Sequence, residues 1–519
     1  MRRLTLLGAV LLALAVVFAI AWGTRPGTAQ VAVQGGQGAA VTSITRSCPP
    51  AAPGSATARI SMVALPAASS TAASSGAAAS GAAEPAAATP TGAATFSAVL
   101  AAPAAVAGGK TSPAGTASPS GKPSASAIAK TTEPRPVTVS VPGTVATVTP
   151  PGGGGTAVAA TGRMAEGFEA EQSDASGTGL VSCTHPGSDM WFVGAGQAAG
   201  APEIRLYLMN TGTLTASADV TILTDTGQQN GLNSAITVAP DQSVSENISP
   251  FVQGSQALAL HVQTSSGQVA AAVWEGDGTS GAWLPQAAAP ATSLVIPGLT
   301  VASSAAKLFV VVPGSTDSQL KVVAYTPAGA VAQFPGSPLD ASAGAATPLA
   351  LNSLGASAAG LRLTSTEPVV AGALVPGAGI GSFTTAVPPI TEQGVVAANP
   401  ASKGVTVGLL LTAPSATARA SISVIGADGS VTTPAGDQTV TVAAGHTLAV
   451  AVPRPQGSRQ SFAIVVTPQA SSGPLYAARA VTPGTGGLSA ALSSLLPVSS
   501  AMTTITLPPA QNSYTAVLP

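Results

Sequence analysis

Carboxylates close to tryptophans are the first residues in this sequence that could do chemistry. Glu166, Glu169, Glu171 and Asp174 fall in one short stretch, Asp189 stands two residues before Trp191, and Glu275 and Asp277 lie between Trp274 and Trp283. Two carboxyl groups facing each other about 5–10 Å apart are the machinery of glycoside hydrolysis. An exposed indole can stack on a sugar face, so Trp191, Trp274 and Trp283 are the candidate glycan contacts. The plainer reading of the same residues is solvated strand ends beside core aromatics, and the surrounding sequence favours it. Gly276-Asp277-Gly278-Thr279-Ser280-Gly281 has the spacing of a dinucleotide-binding loop, but Ala282-Trp283-Leu284-Pro285 follows it. That is no helix start, and a pyrophosphate needs one; the segment reads as a surface loop. No Gly-x-Ser-x-Gly elbow, His-Glu-x-x-His, phosphate loop or EF-hand calcium loop occurs. Histidines stand at 185, 261 and 446, and although His185 is close to Cys183, no second ligand pair has zinc spacing. The sequence therefore names no catalytic residue, no cofactor and no metal ligand, and the expected class is non-enzymatic.

The elements that would position such residues begin with an address. Arg2 and Arg3 precede an uncharged apolar run over residues 4–22. At about 1.5 Å per residue that run crosses about 30 Å of hydrocarbon. Residues 1–30 read as a signal anchor with the arginines inside and the rest of the chain outside the membrane. The alternative is a long signal peptide cut near Gly27-Thr28-Ala29, with the protein secreted. Both readings export the remainder. The two cysteines, Cys48 and Cys183, suit an oxidising compartment, and a Cys48–Cys183 disulfide is expected.

Composition narrows the partners. Only 8% of the 519 residues are charged and 3% aromatic, the net charge is -1, and there are 58 glycines and 44 prolines. A nucleic-acid surface needs a basic stripe with stacking aromatics, and a coiled coil needs far more charge; both are excluded. Residues 64–135 are dominated by Ala, Ser, Thr, Pro and Gly. With few large side chains to bury, they cannot offset the entropy of ordering, and they read as a disordered low-complexity insertion.

From about residue 200 the chain repeats itself with a period of about 100 residues. Val269, Val370 and Tyr476 mark equivalent late strands, and Gly227, Gly329 and Gly429 close equivalent hairpins. Tight hairpin turns want positive φ, which glycine supplies. Apolar alternation with period two and turns every 8–15 residues indicate an antiparallel sandwich. The expected fold is all-β: tandem Ig-like β-sandwich units after an N-terminal transmembrane helix. The expected divisions are a diverged unit at 41–195 holding the insertion, and repeats at 200–300, 301–400 and 401–519. In the diverged unit Thr156-Ala157-Val158-Ala159-Ala160-Thr161-Gly162 resembles the late marker strand.

One block carries a family pattern. It runs from Thr161-Gly162-Arg163-Met164-Ala165-Glu166-Gly167-Phe168-Glu169-Ala170-Glu171-Gln172 through Gly179-Leu180-Val181-Ser182-Cys183 to Pro186-Gly187-Ser188-Asp189-Met190-Trp191-Phe192-Val193-Gly194. The chain resembles an uncharacterised family of exported proteins from high-GC actinobacteria, classified as a domain of unknown function. The resemblance implies export and the same repeat organisation, and it supplies no activity. The expected role is a cell-envelope scaffold or accessory interaction protein, partnered by the membrane and by an envelope protein or cell-wall glycan. The alternatives are a glycan-binding accessory protein in cell-wall polymer assembly and, third, a hydrolase.

Overall fold

The computed structural model describes residues 38–65, 92–101 and 138–506 apart from short stretches, the longest being 485–491. The apolar run at 4–22 lies outside the described residues, and so does the anchor it predicts. Among the described residues no helix is long and apolar enough to cross a membrane. The fold is all-β, in antiparallel sheets with two 3-10 turns at Gly162–Met164 and Ser249–Phe251. Residues 41–503 form one compact body; the described residues outside it are the antiparallel pair Gly38–Ala40 with Thr504–Thr506.

One strand plan occurs four times in the body. An opening strand pairs with the sixth strand, which also pairs with the third. The second strand pairs with the fifth and the seventh, and the seventh pairs with a closing eighth. In the first repeat these are opening Asp189–Ala195, second Glu203–Asn210, third Ala216–Thr224, fifth Gln242–Asn247, sixth Ala257–Ser266, seventh Ala270–Gly276 and closing Gly281–Leu284. The second repeat runs from Ala291–Leu299 to Ser382–Thr385 and the third from Gly394–Asn399 to Ser494–Val498. The N-terminal unit runs from Ser43–Cys48 to Leu180–Ser182. Each repeat therefore opens about ten residues before the point where the sequence pattern becomes visible. In the second repeat a single strand, Ala359–Val375, serves as both sixth and seventh, passing from one sheet to the other.

Two details of the N-terminal unit differ from the sequence expectation. Thr156–Thr161 pairs with Ser43–Cys48 and Ala94–Ala98, so it is the sixth strand. The counterpart of the late marker is Glu169–Asp174, which pairs with Ala58–Val63. Strand Ala94–Ala98 also lies inside the segment expected to be disordered. Its alternation explains this, because Ala94 and Phe96 point inward at 0% and 4% exposure while Thr95 faces out. The flanking residues 66–91 and 102–137 lie outside the described residues.

The hairpin glycines behave as their spacing requires, with φ of 101°, 114° and 80° at Gly227, Gly329 and Gly429. Each pair of sheets encloses its own apolar cluster, a sandwich-like arrangement. The clusters do not stop at unit borders. Phe309 and Phe383 of the second repeat join the core of the first, and Leu410 and Ala478 of the third join the core of the second. Strands such as Ala270–Gly276 and Gly394–Asn399 are consequently buried on both faces. This accounts for the Gly- and Ala-rich composition. A Cβ at Gly298 would fall 2.7 Å from Leu410, and one at Gly372 would fall 2.9 Å from the Val193 carbonyl. Where sheets approach this closely only a small residue fits at the point of contact.

The units close on themselves. The four closing strands contact one another in cyclic order: Leu180–Ser182 with Gly281–Leu284, that with Ser382–Thr385, that with Ser494–Val498, and the last with the first. The N-terminal unit and the third repeat, farthest apart in sequence, are thereby neighbours.

Candidate functional site

Two cavities lie at opposite ends of this ring of closing strands. The first, about 440 Å³, touches the beginnings of the strands: Leu180, Trp283, Phe383 and Leu495, together with Trp274 and Gln172. The second, about 350 Å³, touches their far ends and includes Arg46, Glu169, Glu171, His185 and Pro388. All four units contribute to both.

The first cavity is rich in hydroxyls. Ser55, Ser173, Ser280, Ser382 and Ser494 line it, with Asp174 as its carboxylate. Trp274 and Trp283 face each other in register across adjacent strands and are 2% and 7% exposed. Trp283 also tilts onto Tyr207, with ring centroids 5.7 Å apart. The glycines of the nucleotide-loop look-alike have a packing reason here. A Cβ on Gly276 or Gly281 would fall 2.2 Å from the Trp274 indole. The motif is a hairpin between two strands, closed by the Ser280 N–H donating to Asp277 Oδ1 at 2.6 Å.

Trp191 is not part of this cavity. It is 4% exposed in the core of the first repeat and stacks on His261 at 3.8 Å. None of the three tryptophans forms an exposed platform, so the surface glycan contact expected of Trp191, Trp274 and Trp283 is corrected. The cause is that the sheet faces carrying them are covered by neighbouring units.

The candidate carboxylates are dispersed, and several have partners of their own. Glu169 and Glu171 are two apart on one strand and both border the second cavity. Glu169 pairs with Arg46. Burial pushes its carboxyl up to about 7, with Arg46 opposing and Glu171 adding to the rise. Glu171 accepts from Arg479 Nη1 at 2.9 Å and from the Ala398 N–H at 2.7 Å. Arg479 also donates to the Ala398 carbonyl at 3.2 Å. This ion pair joins the N-terminal unit to the third repeat. Asp189 is exposed and accepts from His261 at 3.1 Å; burial lowers the His261 pKa, and Asp189 opposes that shift. Asp277 is exposed and Glu166 half-buried.

Glu275 is fully buried. Its oxygens make no hydrogen bond of good geometry, and burial raises its pKa well above the carboxylate range, with the facing Ala195 N–H opposing. Gly194 makes room for it, since a Cβ there would fall 2.4 Å from Glu275 Oε1. The sequence-predicted acids are thus not gathered across one cleft. Among the described residues no group of three His, Cys, Asp or Glu side chains could hold a metal ion.

Cys48 and Cys183 are disulfide-bonded, with Cα atoms 4.3 Å apart. The bond ties the opening strand of the N-terminal unit to the residue after its closing strand.

Sequence reasoning missed Arg46, Arg479, Gln172 and Ser382. The arginines did leave a signal: each is the charged residue in a short strand otherwise made of small or apolar side chains, Ser43–Cys48 and Tyr476–Pro483. A charge on a buried strand needs a partner. Gln172 and Ser382 left none.

These features define an all-β protein of four packed units that share one strand plan and are closed around a common axis. Residues 137–453 match the family of unknown function DUF5719, and the chain belongs to that family. The match covers the later strands of the N-terminal unit, two full repeats and most of the third. Neither the curated proteins nor the solved structures contain a match to this chain.

Proposed function

We propose that this protein is a non-enzymatic scaffold or accessory interaction protein of the cell envelope, acting outside the cytoplasmic membrane. The observation that carries this reading is the closure of four units into one body, braced by Cys48–Cys183 and by the buried Glu171–Arg479 pair. Of the charged side chains near the axis, Glu171 and Arg479 hold two units together and Arg46 and Glu169 pair within one, and a rigid body of this kind suits presentation of surfaces to partners. The disulfide fits an oxidising compartment, and the apolar run after Arg2 and Arg3 supplies export, as an anchor or as a cleaved signal. In this reading each unit is a variant of the Ig-like sandwich, with its opening strand beside the sixth and its seventh strand beside the second. Fold alone does not assign function.

The test is in-cell crosslinking, purification and mass spectrometry, together with thiol labelling of intact cells. Expected are a reproducible envelope-protein partner and cysteines that label only after reduction. A cytosolic pool with two free thiols would overturn the placement. Absence of any reproducible crosslinked protein would overturn the scaffold role. Among the described residues no facing pair of free carboxylates supports the hydrolase alternative, and Trp191, Trp274 and Trp283 are buried.

A further inference from the structure

We propose that the open edge of the third repeat's fifth strand, His446–Val452, takes up an extended, uncharged segment of a partner protein as an added strand. The inference deepens the interaction role proposed above and rests on it. It starts from the fifth strands of the three repeats, Gln242–Asn247, Ala346–Ala350 and His446–Val452. Each is the last strand that its own repeat contributes to that side of its sheet. Such a strand presents unpaired N–H and C=O groups, so it recruits other strands unless it is covered or blunted.

The three edges are treated differently. In the first repeat the edge is covered, because Leu100–Ala101 adds in parallel to Gln242 and Ser243. In the second it is blunted by Pro348 at the middle of the strand, which has no N–H to offer. The third has neither device. Its sequence, His446-Thr447-Leu448-Ala449-Val450-Ala451-Val452, contains no proline, no carboxylate and no lysine or arginine. Among the described residues it pairs only with Val405–Ala413, and alternate residues of such a strand aim their backbone groups outward.

This edge is accessible as well as apolar. Leu448 is 36% exposed, Ala451 is exposed, and Ala449 and Val450 are half-buried. Leu448 stands opposite Leu411 of the third core, so it is a core-side leucine left open where the sheet ends. The neighbouring strand Gly329–Gln333 of the second repeat touches His446–Val452 and carries Val331, 44% exposed. Exposed apolar side chains of two units thus flank one open edge, the pattern of a protein-binding surface. The chemistry of the occupant follows from the first repeat, where the equivalent edge already holds an extended stretch of uncharged residues. Main-chain hydrogen bonds supply the affinity of such an addition, and alternate side chains supply its selectivity. A charged segment would lay its charges against Leu448 and Val331 with no counter-charge on the strand.

The experiment titrates the purified full-length chain in detergent into a fluorescein-labelled peptide, Phe96-Ser97-Ala98-Val99-Leu100-Ala101-Ala102-Pro103, which contains the covering strand of the first repeat. Fluorescence anisotropy, corrected for detergent alone, reads affinity, and hydrogen–deuterium exchange reads the place. Expected are saturable binding with a Kd of about 100 µM or tighter and slowed exchange over residues 446–452. Leu448→Lys weakens binding by about tenfold or more, as lysine on an edge does. Ala451→Lys gives the same loss and serves if Leu448→Lys lowers the thermal midpoint. Leu214→Lys, at a leucine 75% exposed elsewhere, leaves affinity unchanged. No saturable binding overturns the proposal, as does protection confined to other strands, or affinity within twofold of wild type in both edge variants. Protection of 446–452 that grows with protein concentration without peptide makes a second copy the occupant and overturns the partner segment. A crosslinked envelope protein without peptide binding leaves the scaffold reading standing and this edge refuted. Peptide binding without any crosslinked protein does the reverse.

Discussion

Replacing Arg479 by methionine probes how the first and last units are held together. Arg479 and Glu171 have side-chain exposures of 0% and 4% and meet at 2.9 Å, across 308 positions of sequence. Removing one partner strands a buried charge, which costs about 3–5 kcal/mol. At about 2.1 cal/mol/K per residue, a cooperative body of about 460 residues unfolds with an entropy near 1 kcal/mol/K. The midpoint should therefore fall by about 3–5 °C in Arg479→Met, and similarly in Glu171→Met. The double variant Glu171→Met/Arg479→Met should lose less than either single one, because no lone charge remains. Its residual loss of about 1 kcal/mol reflects the Ala398 N–H left without its acceptor. Differential scanning calorimetry at pH 7 measures all three. Single variants within about 1 °C of wild type, or a double variant equal to the sum of the singles, would refute the reasoning. In that case the pair would be solvated and ring closure would rest on apolar contacts alone.

Three further outcomes are expected. Glu275 holds in the folded state a proton that the unfolded chain releases above its ordinary value of 4.5, so its contribution to stability is complete below that pH and is lost as pH rises toward the folded pKa. Urea midpoints from pH 5 to pH 8 should show wild type weakening, and Glu275→Gln should flatten the profile; an unchanged slope would sink this assignment. Gly194→Ala should cost about 1–3 kcal/mol by overpacking against Glu275 and Leu284, and Glu275→Ser in the same chain should recover part of it in urea unfolding. Cys48→Ala/Cys183→Ala should lose up to about 5 kcal/mol, since the bond closes a loop of 135 residues; a thermal midpoint unaffected by reductant would show that the N-terminal unit does not rely on it.

Much of the strand plan was legible because its signals are local. Period-two alternation, turn glycines at Gly227, Gly329 and Gly429, and the pairing of the two cysteines can each be read from neighbours in the chain or from a count of two. The candidate sites were less legible. Trp274 and Trp283 were visible as aromatics beside carboxylates, but whether their faces meet water depends on which sheet covers them. Strand Ala94–Ala98 was hidden because its neighbours share the composition of a spacer, and two inward side chains decide its place. The opening strands at Asp189, Ala291 and Gly394 lie before the visible repeat because each pairs with a strand several turns later.

The sequence by itself determined an all-β chain built on a repeat of about 100 residues and joined by one disulfide. Only the tertiary structure decided that the repeats close into a ring, that Glu171 binds Arg479 rather than a substrate, and that Gln172 and Ser382 face one cavity. The physical reason is distance along the chain. A turn or an alternating strand is set by sterics and burial over a few residues, whereas these contacts join positions hundreds of residues apart. Each acquires its meaning only when two already folded sheets meet.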